Sequence, residues 1–401
     1  MFTRHEKFIL ATLAAINFGH ILDFVIMMPL GPQLVRVFNV NPHQFGLLVS
    51  SYTLAAGVSG FLSSFLIDRF DRKKTLLFFF LGFSLGTIAC AASQSYPVLL
   101  LARTFTGAFG GVLGSVVLAI VSDVINAERR GSALGIIMGA FSLASVLGVP
   151  FALFLAGRYD WHAPFMFLGV FSLFLSVFVA ARLPSMKSHL KGPHSVREKK
   201  LFSAVHSVVS SPAQLAALVF TFCLVIGQFF VIPFLSSFFV LNGGLPEAKL
   251  PLIYLFGGMV SMTASPLFGK LSDRHGKRKL FLVGASASIF PIWIITHLGP
   301  SSVPVILLSS CAFFLVMSGR MVPAMALIST VPSPRNRGSF MSIQASVQQL
   351  ATSLGSYLSG LIVIRSQSGQ LEHYSWAGLC SIVFTVLAIF VVSLVKPAAH
   401  E

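Results

Sequence analysis

Apolar stretches of about 20 residues recur along the chain between short polar loops, and the length that a bilayer demands makes roughly twelve of them. Runs such as 75–92 and 165–181 do not alternate apolar with polar residues, so the spans are expected to be closed helices rather than strands of a barrel. The pattern predicts helices near 7–30, 45–67, 75–93, 97–125, 131–157 and 163–181, then near 212–241, 248–271, 279–297, 303–331, 338–364 and 375–394. A basic segment containing proline and serine, 184–211, separates the two sets. The fold class expected is an all-α membrane protein with twelve transmembrane helices: an N-terminal six-helix bundle over 1–183, a cytosolic linker over 184–211 and a C-terminal six-helix bundle over 212–401.

Composition strengthens this reading. Of 401 residues, 55% are hydrophobic and 10% charged, against roughly 25% charged in soluble chains. Mean hydropathy is +0.85, and the deficit of charge runs the whole length, so lipid is the main solvent. The net charge of +16 would raise the question of nucleic acid in a soluble protein, but its placement answers it. Assigning loops alternately to two sides puts Arg69, Arg72, Lys73, Lys74, Arg129, Arg130, Arg274, Lys277 and the basic linker together, and leaves Arg36, Arg158, Lys249 and Arg365 opposite. That asymmetry is the positive-inside signal, so both termini are expected in the cytosol and the chain in the inner (plasma) membrane. Arg4, Lys7 and the apolar run after them resemble a signal peptide, yet Asn17, His20 and Asp23 interrupt the run, and it reads as a retained first helix. Cys90, Cys223, Cys311 and Cys380 lie singly in apolar runs, with no metal or disulfide spacing.

The two sets repeat each other. Asp68-Arg69-Phe70-Asp71-Arg72-Lys73-Lys74 follows the second span and Asp273-Arg274-His275-Gly276-Lys277-Arg278-Lys279 the eighth, at an offset of roughly 205 residues. Arg130-Gly131-Ser132 and Arg337-Gly338-Ser339 open the fifth and eleventh spans at nearly the same offset, which argues for a duplicated six-helix unit.

On these residues the chain resembles the major facilitator superfamily, in its drug:proton antiporter and sugar-efflux branch. Gly269 to Lys279 resembles the family's Gly-x-Leu-Ala/Ser-Asp-Arg-x-Gly-Arg/Lys loop motif. The first-half copy departs from it, with Ser64 and Asp71 where glycines are expected, and keeps Asp68, Arg69 and Arg72. The resemblance implies a cytosolic gate formed by Asp68, Arg69, Arg72, Asp273, Arg274 and Lys277, with Asp123 at the end of the fourth helix taking part. Arg103-Thr104-Phe105-Thr106-Gly107 resembles the Arg-x-x-x-Gly motif of proton-coupled members, and Gly135, Gly139, Gly148, Pro150 and Gly157 resemble the glycine- and proline-rich fifth helix of exporters.

Of 12 carboxylates, Asp23 alone falls well inside a span, with His20 and Asn17 one and two turns before it. A carboxylate at that depth is costly unless it is used or paired, which makes Asp23 the candidate proton site with His20 as relay, and the Arg-x-x-x-Gly resemblance implies that Arg103 takes part in the coupling. A fixed contact between Asp23 and Arg103 or Arg320 is the alternative. Asn17, Phe109, Gln228, Phe229, Arg320, Gln344, Gln348 and Tyr357 are the candidate lining of a midplane substrate cavity.

No carboxylate pair, His/Cys cluster, nucleotide loop or nucleophile triad occurs in the spans, which excludes an enzyme as the expectation, and a sensor would need an appended output domain. The function expected is proton-coupled efflux of a drug-like or amphipathic molecule by alternating access. The alternative is uptake or facilitated diffusion of a sugar or organic acid, with Arg103 and Arg320 as clamps. No cofactor is expected beyond the proton gradient. The expected partners are a small-molecule substrate and the bilayer, with no nucleic acid, and the chain is expected to be a monomer.

Overall fold

The computed structural model describes residues 2–63, 67–187, 206, 208, 210–333 and 337–397. Most of the linker 184–211 and the Ser64 position lie outside the described residues, as does the side chain of Asp68.

In chain order the helices are α1 Arg4–Ile26, α2 Gly31–Phe38, α3 Pro42–Ser63, α4 Arg72–Ala91, α5 Tyr96–Val124, α6 Arg130–Leu143, α7 Val149–Arg158, α8 His162–Arg182, α9 Pro212–Phe229, α10 Leu235–Leu241, α11 Leu250–His275, α12 Lys277–Thr296, α13 Val303–Ile328, α14 Arg337–Ile362 and α15 Tyr374–Val391. A two-stranded hairpin, β1 Ile364–Arg365 and β2 Leu371–Glu372, precedes α15. Among the described residues eleven helical stretches are long and apolar enough to cross a bilayer. The twelfth, α14, is 26 residues long but carries Ser342, Gln344, Ser346, Gln348, Gln349, Ser353, Ser356 and Ser359, which lower its hydropathy.

Three expected spans are broken, each for a local reason. The first helix ends at Ile26 rather than near residue 30, and Pro32 then opens the short α2. The fifth span is α6 and α7 joined by a π-helical turn, Ala144–Gly148, in which the Val149 amide donates to the Ala144 carbonyl. Pro150 follows at once; it has no N–H to give the preceding turn, and widening that turn accommodates it. In the seventh span the chain leaves α9 at Phe229 and passes through a 3₁₀ turn, Ile232–Phe234, containing Pro233, before α10.

The chain divides into two compact units, residues 1–27 with 51–201, and residues 28–50 with 202–401. The boundaries 1–183 and 212–401 cut only at the linker, whereas the contacts place 28–50 in the second unit. There Arg36 on α2 pairs with Glu247, the Phe45 ring packs on Phe234, and Ser353 of α14 donates to the Ser50 carbonyl. In the first unit α4 packs on α5 and α8, and α1 on α5 and α6, around a core of Leu13, Ile16, Phe80, Phe83, Val112, Val116 and Ile120. In the second, α12 packs on α13 and α15, and α9 on α14 and α15. The α4 and α12 arrangements repeat each other, as the duplicated loops require. Leu101, Phe174, Leu308 and Phe390 stay exposed, which suits helices whose outer faces meet lipid.

The duplicated loops solve their turn in two ways. Gly276, between α11 and α12, has φ +92°, a conformation L residues rarely adopt. Its counterpart Asp71 has φ −57° and instead caps α4, its carboxylate accepting from the Lys73 amide at 2.9 Å.

Helix α5 approaches α3 so closely that a β-carbon at Gly107 would run into the Tyr52 carbonyl, and one at Gly111 into that of Ala56. At Gly114, on the same helix, a β-carbon would meet nothing. Gly107→Val and Gly111→Val are therefore each expected to cost about 1–3 kcal/mol or more, seen as a lower thermal midpoint of the purified protein, while Gly114→Ala holds or raises it. Equal effects at all three positions would show that the α3–α5 crossing is not so tight.

Candidate functional site

Asp23 lies one turn from the end of α1, and Arg103 two turns into α5. Their side chains meet with Arg103 Nη1 2.8 Å from Asp23 Oδ2, and both are 0% exposed. The same Nη1 stands 3.3 Å from the Asp23 carbonyl. The Thr87 hydroxyl of α4 lies 3.1 Å from Asp23 Oδ1 and 3.0 Å from the Phe83 carbonyl, so its single proton serves one or the other. Tyr52 of α3 places its ring under the guanidinium, 4.3 Å from centroid to Cζ, and Phe165 of α8 stands at 5.8 Å. Among the described residues Nε and Nη2 of Arg103 have no hydrogen-bond partner, and the rings of Tyr52 and Phe165 lie against the guanidinium carbon. One ion pair thus gathers five helices of the first unit.

The spacing Arg103 to Gly107 has a physical reason here. Gly107 is one turn after Arg103 and removes the side chain that would hold the α3 backbone away at Tyr52. Close approach at the glycine is what brings the Tyr52 ring over the arginine.

Of the two open partners for Asp23, the structure selects Arg103 and not Arg320. The shared helical spacing of Asn17, His20 and Asp23 does not give them a shared task. Asn17 Nδ2 donates to the Ile137 carbonyl of α6 at 3.1 Å. His20 rests beside Gly110 and the Phe83 ring, and neither of its ring nitrogens has a hydrogen-bond partner, Asp23 included. Phe109 packs with Phe78, Phe79 and Phe105 on the α4–α5 side.

In the second unit, Arg320 of α13 is fully buried and turned towards α12 and α15, with Nη1 2.9 Å from Thr385 Oγ1 and 3.5 Å from Ser288 Oγ. Gln344 of α14 is buried with its amide 3.9 Å from the Met325 sulfur. Tyr357 packs edge-on against His43. Gln228 and Phe229 sit at the end of α9, half-buried, where Gly355 of α14 lets the helices close on the Ile226 carbonyl and Phe229. Gln348 is half-buried on α14. The structure does not bring these into one hydrogen-bonded group.

At the basic loops, Arg72 Nε donates to Asp123 Oδ2 at 2.9 Å and Nη1 to the Ile67 carbonyl, so Arg72 and Asp123 act together within the first unit. Arg69 is exposed. Asp273 and Arg274 are exposed and Lys277 half-buried, with no ion pair among the described residues. Asp71 lies beside this group. Burial opposes its charge, but hydrogen bonds from Ser185 and from the Met186 and Lys73 amides, with Lys187 nearby, hold its carboxyl below the usual range. Tyr52, Thr87 and Thr385 complete the two arginine sites without belonging to any motif; a hydroxyl or phenol inside an apolar helix is their signal in the sequence.

A family model described as Major Facilitator Superfamily matches residues 13–319 and 258–401. The Bacillus subtilis protein named "Uncharacterized MFS-type transporter YwfA" is 27% identical over 92% of this chain and 87% of its own length. A "Probable sugar efflux transporter" of Mannheimia succiniciproducens is 22% identical over 58% of this chain and 57% of its own. Among solved structures, a bacterial homologue of the human lysosomal transporter Spinster, inward-facing and unoccupied, has a TM-score of 0.78 at 16% identity, over 98% of this chain and 97% of that one. That likeness shows a common fold.

Removing one partner of a buried ion pair strands the other, at a cost of about 3–5 kcal/mol, whereas removing both costs far less. Asp23→Asn and Arg103→Gln are each expected to lower the thermal midpoint strongly, and the double variant to recover much of the loss. Additive losses in this cycle would mean that the two side chains do not depend on each other.

Proposed function

Because the chain belongs to the Major Facilitator Superfamily, and so is a secondary transporter and not an enzyme, we propose that it exports a drug-like or amphipathic small molecule in exchange for protons. The observation that carries this reading is the Asp23–Arg103 pair, a charge pair sealed from water inside one unit of a membrane carrier. Protonating Asp23 cancels the charge that holds Arg103 and loosens α1 from α5, Thr87 and the Tyr52 ring. Binding of the solute and binding of the proton then compete through the position of α1, which is the coupling that exchange needs. The resting energy source is the proton gradient, and no bound cofactor is required. The relative named for sugar efflux lends the direction of transport, and amphipathic cargo suits a chain with 40 phenylalanines.

In this reading the chain sits as a monomer in the inner membrane with both termini in the cytosol, and Arg72 with Asp123 braces the cytosolic loops of the first unit. A second reading, uptake or facilitated diffusion of an organic acid, is favoured by one observation: Arg320 is buried with no carboxylate partner among the described residues.

Everted vesicles separate the two. Accumulation of dye or drug by vesicles carrying the wild-type protein is expected to collapse when the proton gradient is dissipated. The Asp23→Asn/Arg103→Gln variant, which leaves no uncompensated charge at the pair, is expected to bind solute yet lose gradient-driven flux at least roughly a hundredfold. Gradient-driven flux unchanged in that variant removes Asp23 from the mechanism, and wild-type flux indifferent to the gradient favours the second reading.

A further inference from the structure

We infer that Arg320 is the centre of a binding site for a small monovalent anion inside the second unit, walled by α12, α13 and α15. The inference rests on Arg320 alone and not on proton coupling at Asp23, which lies in the other unit.

Arg320 is 0% exposed and sits in the interior of α13. Among the described residues its hydrogen bonds run from Nη1 alone, to Thr385 at 2.9 Å and Ser288 at 3.5 Å. Both hydroxyls spend their own protons on their own helices, Thr385 on the Ser381 carbonyl at 2.8 Å and Ser288 on that of Ala285 at 2.7 Å. They therefore turn lone pairs, but no negative charge, towards the guanidinium. Nε and Nη2 have no hydrogen-bond partner among the described residues. Those two nitrogens form the edge of the guanidinium whose parallel N–H groups take a carboxylate or halide side-on.

Arg103 is the internal comparison. It is equally buried, but Asp23 meets its charge and Tyr52 its face. Arg320 has neither a carboxylate nor an aromatic face against it among the described residues. An arginine does not readily shed its proton to escape the cost, and an uncompensated cation in a membrane interior is strongly unfavourable. A single positive charge with a free two-nitrogen edge and two hydroxyls fixing the other side calls for one negative charge. That chemistry fits a halide or the carboxylate of a small organic acid. A divalent oxyanion would need a second cation, and none of the described residues places one against this group.

The test uses the purified full-length protein and its thermal midpoint in sodium chloride, bromide, acetate and gluconate at matched ionic strength. Chloride, bromide or acetate is expected to raise the midpoint saturably relative to gluconate. Saturation by the halides assigns the site to a resident inorganic ion, and saturation by acetate alone assigns it to a carboxylate solute. Arg320→Met is expected to abolish the saturable rise, and Arg320→Lys, which keeps the charge but not the fork, to weaken the apparent affinity by roughly tenfold. Four indistinguishable salts in the wild type, or a saturable rise surviving in Arg320→Met, overturn the assignment. Should Arg320→Met not fold, full wild-type affinity in Arg320→Lys overturns it.

Discussion

Inside a bilayer there is no water to answer a charge, so every ionised group at depth needs its counterpart within the protein. Asp23 and Arg103 answer each other at 2.8 Å with neither side chain exposed, and the first unit is arranged around that requirement. Thr87 reaches the carboxylate from α4, Tyr52 covers the guanidinium from α3, and Phe165 closes on it from α8. Remove the pair and these helices lose the polar contact that fixes their rotation, since an apolar helix in lipid has little else to tell one face from another.

The same constraint sets the backbone. Gly107 and Gly111 allow α3 and α5 to touch along their main chains, which is how Tyr52 comes to lie over Arg103 one turn away. Charge and packing are thus two parts of one device: the glycines admit the ring, the ring shields the cation, and the cation holds the acid. In the proposed exchange, adding a proton to Asp23 removes that attraction and frees α1 to move against α5. The second unit repeats the helix packing but not the device, since among the described residues the hydrogen bonds of its buried Arg320 run to hydroxyls.

The division of the chain into spans was legible because length and apolarity are properties of the sequence itself, and so was the duplication carried by the two basic loops. The breaks at the π turn before Pro150 and at Pro233 could be read only as prolines within apolar runs. The partnerships of the site were harder to read. Asn17, His20 and Asp23 have the spacing of one helix face, yet they meet the Ile137 carbonyl, the Phe83 ring and Arg103 respectively. A helix apolar all round carries no stripe to say which neighbour each side chain meets, and Asp23 is 80 residues from its partner. Asp23 and Arg103 could be named as costly groups. That Arg103 rather than Arg320 answers Asp23, and that Tyr52 and Thr87 complete the site, followed only from the packing. The grouping of 28–50 with the second unit was likewise invisible, because it depends on contacts such as Arg36 with Glu247.

The central claim is that Asp23 exchanges a proton in the working protein instead of remaining an ionised strut. Difference infrared spectroscopy of the protein in lipid, comparing about pH 5 with about pH 9, reads it directly through the carbonyl stretch of a buried carboxylic acid. The account predicts such a band on acidification in the wild type and its loss in Asp23→Asn. A carboxylate that stays ionised throughout, with no band attributable to Asp23, would contradict it.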